Sequence, residues 1–123
     1  MPYARAVRIH HLAFRTPDLA RLERFYTEAI GLAVLRRDDD RSVWLDAGGS
    51  LVMLERREDA EPAIAPASKE LVCFAIAPDA HAATLARLAA AGVAIEARTA
   101  YTLYFRDPDG RRVGVSSFPD APA

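Results

Sequence analysis

The sequence contains few of the features that mark a secreted, membrane-spanning or nucleic-acid-binding protein. Cys73 is its single cysteine, which excludes a disulfide within the chain and indicates a reducing, cytoplasmic environment. The 16 Lys and Arg residues nearly balance the 17 Asp and Glu residues, giving a net charge of -1, so no basic surface for nucleic acid or for an anionic membrane is expected. No apolar run is long enough to span a membrane, and residues 1–5 lack the apolar core of a signal peptide.

The motifs of several large enzyme classes are also missing. There is no G-x-S-x-G nucleophile motif, no phosphate-binding P-loop and no dinucleotide-binding glycine fingerprint. What the chain does contain is an apolar majority, since 51% of its 123 residues are hydrophobic. This length and composition predict one folded domain covering residues 1–123, with a substantial core.

One short stretch introduces the pattern on which the rest of the chain is built. Alternating residues up to Arg15 predict a strand, and they place His11 and Arg15 on the same face. Apolar residues at helical spacing then predict a helix over 18–30, with Thr16 as its N-cap and Gly31 at its end. Further strands are predicted at 32–37, 43–46, 51–55, 71–76, 93–98, 101–106 and 113–116, and a second helix between Pro78 and Gly92.

The second half of this pattern repeats the first at an offset of about 61 residues, because the turn 46–49 (DAGG) corresponds to the turn 107–110 (DPDG). Each unit has the order strand, helix, strand, strand, strand and is too small to be comfortably stable alone. The sequence therefore predicts two tandem βαβββ modules, at about 7–57 and 70–118. The residues between them, 58–69, are rich in proline, alanine and acidic residues and are predicted to form a linker.

Several short motifs, in this order and spacing, make the chain similar to the vicinal oxygen chelate superfamily, which includes glyoxalase I, bleomycin-resistance proteins and extradiol dioxygenases. They are 11–15 (HLAFR), 17–19 (PDL) with 25–26 (FY), 31–32 (GL) and 107–110 (DPDG). The resemblance covers about residues 7–118. It implies an α+β fold in which the two βαβββ modules form a curved mixed sheet around a cleft, with the helices outside. It also implies a small-molecule ligand and a homodimer whose two clefts are shared between the subunits.

Metal-dependent members of this family hold a divalent ion in the cleft, at four positions. By resemblance, these positions fall on His11, Met53, Leu71 and Gly114. Only His11 is a competent ligand, because such ions prefer imidazole and carboxylate donors, whereas a thioether is too soft and Leu and Gly have no side-chain donor. We therefore expect no metal cofactor. A divalent ion held by His11 and Glu55, with water completing its shell, is the alternative left open.

Three further residues on the face of the expected cleft could bind a ligand or take part in a reaction. Arg15 matches the arginine of glyoxalase I that contacts the glutathione carboxylate, so it either selects an anionic ligand or forms an ion pair with Glu55. Glu55 is either a base, a replacement metal ligand or a solvated residue at the cleft rim. Cys73 has no neighbouring base in the sequence and is expected to act as a small apolar side chain rather than as a nucleophile.

The remaining histidines and the aromatic residues of the strands are expected to be structural. His10 is predicted to face the helices, and His81 to lie near the start of a helix. Strand aromatics can stack on a planar ligand, but we expect these to be core residues: Trp44, Tyr101, Tyr104 and Phe105.

Three functions fit these observations. The first is a metal-free protein that binds a small, anionic or partly apolar molecule in a cleft lined by His11, Arg15, Met53, Glu55, Leu71, Cys73 and Gly114. The second is a divalent-metal-dependent lyase, isomerase or dioxygenase with an atypical site. A pathway-associated protein without chemistry of its own is a third. The fold alone does not separate them, because one fold hosts many functions.

Overall fold

The computed structural model describes residues 7–119, which form two four-stranded sheets accompanied by helices. The first module contains β1 (His11–Thr16), α1 (Leu19–Arg24) with a π-helical continuation (Phe25–Ile30), β2 (Ala33–Asp38), β3 (Ser42–Asp46) and β4 (Leu51–Arg56). The second contains β5 (Leu71–Ala75), a 3-10 turn (Pro78–Ala80), α2 (His81–Ala90), β6 (Ala97–Arg98), β7 (Thr102–Arg106) and β8 (Arg112–Ser116). No helix within residues 7–119 is long and apolar enough to cross a membrane. The prediction for residues 1–5 lies outside the described part of the chain.

The two sheets are connected in the same way. Their strand orders are β1-β4-β3-β2 and β5-β8-β7-β6. In each sheet the first and last strands of the module pair in parallel, and the other pairs are antiparallel. This topology confirms the predicted α+β fold and the βαβββ repeat. The two mixed sheets stay separate and do not close into one sheet.

The first helix differs from its prediction at its start and in its middle. Its N-cap is Asp18 rather than Thr16, because the Asp18 carboxylate accepts a hydrogen bond from the backbone N–H of Arg21 at 3.1 Å. The Thr16 hydroxyl instead accepts from the backbone N–H of Asp18. After Arg24 the helix continues in π geometry, which apolar spacing does not reveal. Gly31 ends it as expected, in the left-handed conformation with φ of 100°.

The second module has a shorter edge strand than its sequence predicts. A strand is predicted over 93–98, but only Ala97–Arg98 pairs in the sheet. Val93 and Ile95 pack against the hydrophobic core instead, so their alternation reflects burial rather than pairing in the sheet. The backbone N–H of Glu96 still donates to β7, at 2.7 Å, which holds this segment beside the sheet.

Each sheet buries one face and leaves the other open, as alternation along a strand requires. The buried faces and the helices form a shared core, with Phe14, Val43, Leu45, Val52 and Leu54 from the first sheet, Leu103, Phe105, Val113 and Val115 from the second, and Leu22, Tyr26 and Leu88 from the helices. We call His11, Ala13, Arg15, Trp44, Met53 and Glu55 the first open face. We call Leu71, Cys73, Tyr104, Arg112 and Gly114 the second open face.

A buried polar contact joins the two modules on the core side. Tyr26, in the first module, is fully buried, and its hydroxyl donates to the Asp107 carboxylate in the second module at 2.8 Å. Arg111 donates to the same carboxylate at 3.0 Å, and its guanidinium lies 4.8 Å from the centre of the Phe14 ring. Burial, reinforced by the negative charge of Asp107, raises the pKa of Tyr26 well above its usual value, so its hydroxyl remains a donor.

Candidate functional site

The four metal positions implied by the resemblance lie on two different sheets. His11 and Met53 belong to the first open face, where Met53 pairs with Ala13 of the neighbouring strand. Leu71 and Gly114 belong to the second open face. No group of three or more His, Cys, Asp or Glu side chains within residues 7–119 is arranged to hold a metal ion. The side chains at these positions do not fit a divalent ion, because only His11 offers a suitable donor.

The space at Gly114 is taken by its neighbours. A Cβ atom added to Gly114 would lie 3.1 Å from Cys73 Sγ and 3.5 Å from a methyl carbon of Leu71. A metal-binding side chain at this position would therefore require Cys73 to move. Partial burial raises the pKa of the Cys73 thiol although the residue as a whole is exposed, so the thiol is neutral near pH 7. This supports the expectation that Cys73 is a small apolar side chain rather than a nucleophile.

His11 sits in an aromatic cluster on the first open face. Its ring lies 5.2 Å from the Trp44 ring, edge to face, and the Arg36 guanidinium lies 5.5 Å from the centre of the same indole. The Nδ1 atom of His11 is 2.9 Å from Nδ1 of His10, so one of the two imidazoles donates to the other. The prediction that His10 faces the helices is wrong, because His10 precedes β1 and is exposed.

The expectation that the strand aromatics are core residues is correct for Phe105, which is fully buried. It is wrong for Trp44 and Tyr104, which point to the open faces, and for Tyr101, which is exposed beside Phe118. Each open-face aromatic alternates with buried apolar neighbours along its strand. That parity was the signal in the sequence that could have assigned them correctly.

Arg15 forms the ion pair that was one of its two expected roles. Its guanidinium binds the Glu55 carboxylate on the neighbouring strand, and it also binds both oxygens of Glu61, with N···O distances of 3.0 and 2.7 Å. The hydrogen bonds from Arg15, with help from the Glu58 backbone N–H, lower the pKa of Glu61 to about 2. Glu61 was missed because it lies in the predicted linker, where no periodicity indicates what a side chain contacts.

The second open face carries a cationic cluster that the sequence analysis did not single out. The Arg112 guanidinium lies 4.4 Å from the centre of the Tyr104 ring, and its Nε donates to Glu96 at 3.1 Å. Arg106 binds the other oxygen of Glu96 at 2.9 and 3.1 Å. These hydrogen bonds, those from Arg106 first, lower the pKa of Glu96. Two guanidinium groups therefore share one carboxylate, which leaves the cluster with a net positive charge. Arg112 precedes Gly114 by two residues, and this spacing was the signal for its position.

The two open faces are not joined to each other by side chains. Within residues 7–119, no hydrogen bond or ion pair links a side chain of the first open face to a side chain of the second. The contacts between the modules lie on the core side, for example between Phe25 and Phe105 and between Tyr26 and Phe74. The two open faces therefore make no direct polar contact with each other, and we call them the two half-sites.

A cavity of about 470 Å³ lies beside the end of the first open face, next to Arg15. Its lining includes Ala13, Arg15, Arg57, Glu61, Ile64 and Arg111. It is large enough for a small organic ligand.

Comparison with known proteins agrees with this architecture. The solved structures that resemble the chain include the fosfomycin resistance protein FosX from Mesorhizobium loti, with 18% sequence identity, a TM-score of 0.79, and coverage of 91% of this chain and 92% of that chain. Lactoylglutathione lyase from Agrobacterium tumefaciens has 23% identity, a TM-score of 0.69, and coverage of 91% and 94%. A glyoxalase/dioxygenase from Nostoc punctiforme has 18% identity, a TM-score of 0.75, and coverage of 92% of both chains. At these identities the likeness concerns the fold alone.

The sequence itself carries the family assignment. No curated protein sequence matches the chain. The family profile described as Glyoxalase/Bleomycin resistance protein/Dioxygenase superfamily, in contrast, matches residues 8–115, which is nearly the whole of the described structure. The chain belongs to this superfamily.

Proposed function

We propose that this protein binds a small, partly apolar molecule with an anionic group, in a cleft that uses no divalent metal. The observation that carries the proposal is the chemistry of the metal positions, where Met53, Leu71 and Gly114 replace the donors and Cys73 fills the space beside Gly114. The proposed cleft residues are His11, Arg15, Met53, Glu55, Leu71, Cys73 and Gly114.

The side chains around these positions support a ligand with an aromatic or apolar body. Trp44 on one open face and Tyr104 on the other present large rings, and Arg112 adds a guanidinium against Tyr104. Sites for small molecules are typically apolar with a few placed polar groups. The net positive cluster around Glu96 supports an anionic group on the ligand.

The alternative, a metal-dependent enzyme with an atypical site, is less well supported. It would need Glu55 to join His11 as a ligand, and Glu55 is bound to the Arg15 guanidinium. Recruiting it would break that ion pair, and both donors would still come from the first open face.

We further propose that the protein is a homodimer in which the first open face of one chain meets the second open face of its partner. The two half-sites of one chain are not joined to each other, so a second copy completes each cleft. Two-fold pairing is also the commonest assembly of soluble oligomers. Light scattering at about 50 μM should give twice the mass of one chain. The concentration is specified because dimerisation depends on it. A monomer at that concentration would contradict the shared cleft.

The fluorescence of Trp44 offers a direct test of the binding function, since Trp44 is the only tryptophan of the chain. Phenylacetate, which joins an apolar ring to a carboxylate, should change this fluorescence in a saturable way. Protein treated with EDTA should bind with the same affinity, to within about twofold, because no metal takes part. Binding that appears only after zinc or manganese is added would support the metal-dependent enzyme instead.

The same titration can separate the cleft from the rest of the surface. Tyr104→Leu removes the ring beneath Arg112 and should weaken phenylacetate binding by about fivefold. Tyr101→Leu is the matched control, because Tyr101 is an exposed aromatic residue outside the open faces. Equal losses in both variants would place the ligand outside the proposed cleft.

A further inference from the structure

We propose that Glu61 is a built-in competitor for the ligand: its carboxylate occupies an oxyanion subsite on Arg15, and a carboxylate ligand binds there by displacing it. The inference rests on the proposed function, because it concerns the same cleft. It adds that a ligand carboxylate must displace Glu61 from Arg15, and that Glu61 therefore sets the affinity.

The contact between Arg15 and Glu61 has the geometry of a bound carboxylate. Nε of Arg15 donates to one oxygen of Glu61 at 3.0 Å, and Nη2 donates to the other oxygen at 2.7 Å. Two parallel N–H···O bonds are the arrangement in which a guanidinium recognises a free carboxylate. An external carboxylate that approaches this edge of Arg15 meets the same donors in the same geometry.

The two partners of this contact differ in how firmly the fold holds them. Arg15 belongs to β1, where it pairs with Glu55 of β4, and its backbone carbonyl accepts a hydrogen bond from Arg111. Glu61 belongs to the segment between β4 and β5, which has no helix or strand. Besides Arg15, the Glu61 carboxylate accepts a hydrogen bond from the backbone N–H of Glu58 in the same segment. The guanidinium is therefore fixed on a strand, whereas its occupant is a single side chain that can turn away while the backbone of its segment stays in place.

The contact is also accessible to water, which keeps it exchangeable. The side chain of Arg15 is 39% exposed and that of Glu61 is 31% exposed. Ion pairs with this degree of exposure contribute little to stability, since water and salt screen them. A ligand that contributes apolar contacts in addition to its carboxylate can therefore compete with Glu61.

Space for such a ligand lies directly beside the contact. The cavity of about 470 Å³ shares Arg15 and Glu61 in its lining and adds apolar surface from Ala13 and Ile64. Arg57 and Arg111 also line it, so the departure of Glu61 would leave the cavity with more positive charge. An apolar body with a carboxylate suits this surface.

Charge makes the binding an exchange rather than an addition. Arg15 already faces two carboxylates, Glu55 and Glu61, and a third anion beside them would be repelled. A carboxylate ligand can approach the guanidinium once Glu61 has withdrawn. A neutral ligand cannot form an ion pair with Arg15, so removal of the Glu61 charge should leave its affinity nearly unchanged.

The test compares two probes on three proteins. The probes are phenylacetate and its neutral analogue phenylacetamide, and the proteins are the natural chain, Glu61→Gln and Glu58→Gln. Glu61→Gln should bind phenylacetate about fivefold more tightly, because the amide is a weaker competitor for the guanidinium. Its affinity for phenylacetamide should stay unchanged. Glu58→Gln is the matched control, since it removes the same charge from the same segment without touching Arg15, and it should leave both affinities unchanged.

A second measurement follows the displaced side chain. Saturating phenylacetate should speed backbone hydrogen exchange at Glu58 of the natural chain, because its N–H loses the Glu61 carboxylate as an acceptor. Equal phenylacetate affinity in the natural chain and Glu61→Gln, or unchanged exchange in the bound state, would overturn the inference and leave the proposed function standing. Binding of neither probe to any of the three proteins would contradict the proposed function itself, and the inference with it.

Discussion

Replacing Asp107 with Ala is expected to lower the free energy of unfolding by about 3–5 kcal/mol. The Asp107 side chain is fully buried and accepts hydrogen bonds from the Tyr26 hydroxyl at 2.8 Å and from Arg111 Nη1 at 3.0 Å. It also accepts from the backbone N–H groups of Asp109 and Arg111, at 2.9 and 3.0 Å. The substitution would leave the buried Tyr26 hydroxyl without its acceptor and remove one carboxylate from Arg111, which keeps Asp109 and the Arg15 carbonyl as acceptors.

The repeat supplies a matched control for this prediction. Asp46 occupies the corresponding turn of the first module, but it is exposed, and its carboxylate accepts from the backbone N–H of Gly48 at 2.8 Å. Asp46→Ala should therefore cost only about 0.5 kcal/mol. Tyr26→Phe removes one of the hydrogen bonds to Asp107 and should cost about 1–2 kcal/mol. Urea unfolding followed by circular dichroism measures all three, and equal losses for Asp107→Ala and Asp46→Ala would contradict the role given to the buried contact.

The second large expected effect is on metal binding, which we consider in the natural protein and then in a variant with restored donors. Protein purified without chelator should carry far less than one divalent ion per chain in elemental analysis. A stable site needs about three suitable donors. Of the four family positions only His11 supplies one, and the carboxylate considered as its partner, Glu55, is bound to Arg15. One zinc, nickel, iron or manganese ion per chain, lost in His11→Ala, would contradict this prediction and revive the metal-dependent enzyme.

Restoring the donors should create the site that the natural chain lacks. The variant combines Met53→Glu, Leu71→His and Gly114→Glu with Cys73→Ala, because the Cβ of a side chain at 114 would otherwise lie only 3.1 Å from the Cys73 sulfur. Together with His11, these substitutions offer four donors from the two half-sites. Zinc affinity, measured by competition with a chromophoric chelator, should rise on the order of a thousandfold.

The matched control for the restored site is the same variant with Cys73 left in place, which should bind zinc more weakly. No gain of zinc binding in a folded, dimeric variant would show that Met53, Leu71 and Gly114 do not face one cleft.

The architecture could be predicted from the sequence because the same pattern of elements occurs in both halves of the chain. The turns 46–49 and 107–110 and the alternating strands between them recur at one offset, so each half checks the other. The details that failed are those set by tertiary contacts. Val93 and Ile95 alternate like strand residues but pack on the core, and Asp18 competes with Thr16 for the N-cap through a hydrogen bond that spacing does not encode.

The candidate site was less predictable than the fold, for two different reasons. For Trp44 and Tyr104 the alternation was present, but hydrophobicity alone suggested burial. For Glu61 no local signal existed, because its partner Arg15 is 46 residues away and residues 58–69 around it have no period that predicts contacts. Long-range ion pairs of this kind emerge only when the chain is folded.

The separation of open and buried faces has a consequence for how this protein can evolve. The Tyr26–Asp107 contact and the shared core lie on one side of the sheets, and the residues of the open faces contribute little to either. In the proposed cleft, substitutions at Met53, Leu71 or Tyr104 would therefore change ligand preference while most of the folding free energy is retained. Selection for a new ligand meets little opposition from selection for stability in such a design. The fold is shared with FosX at 18% identity, so this backbone tolerates wide divergence in sequence.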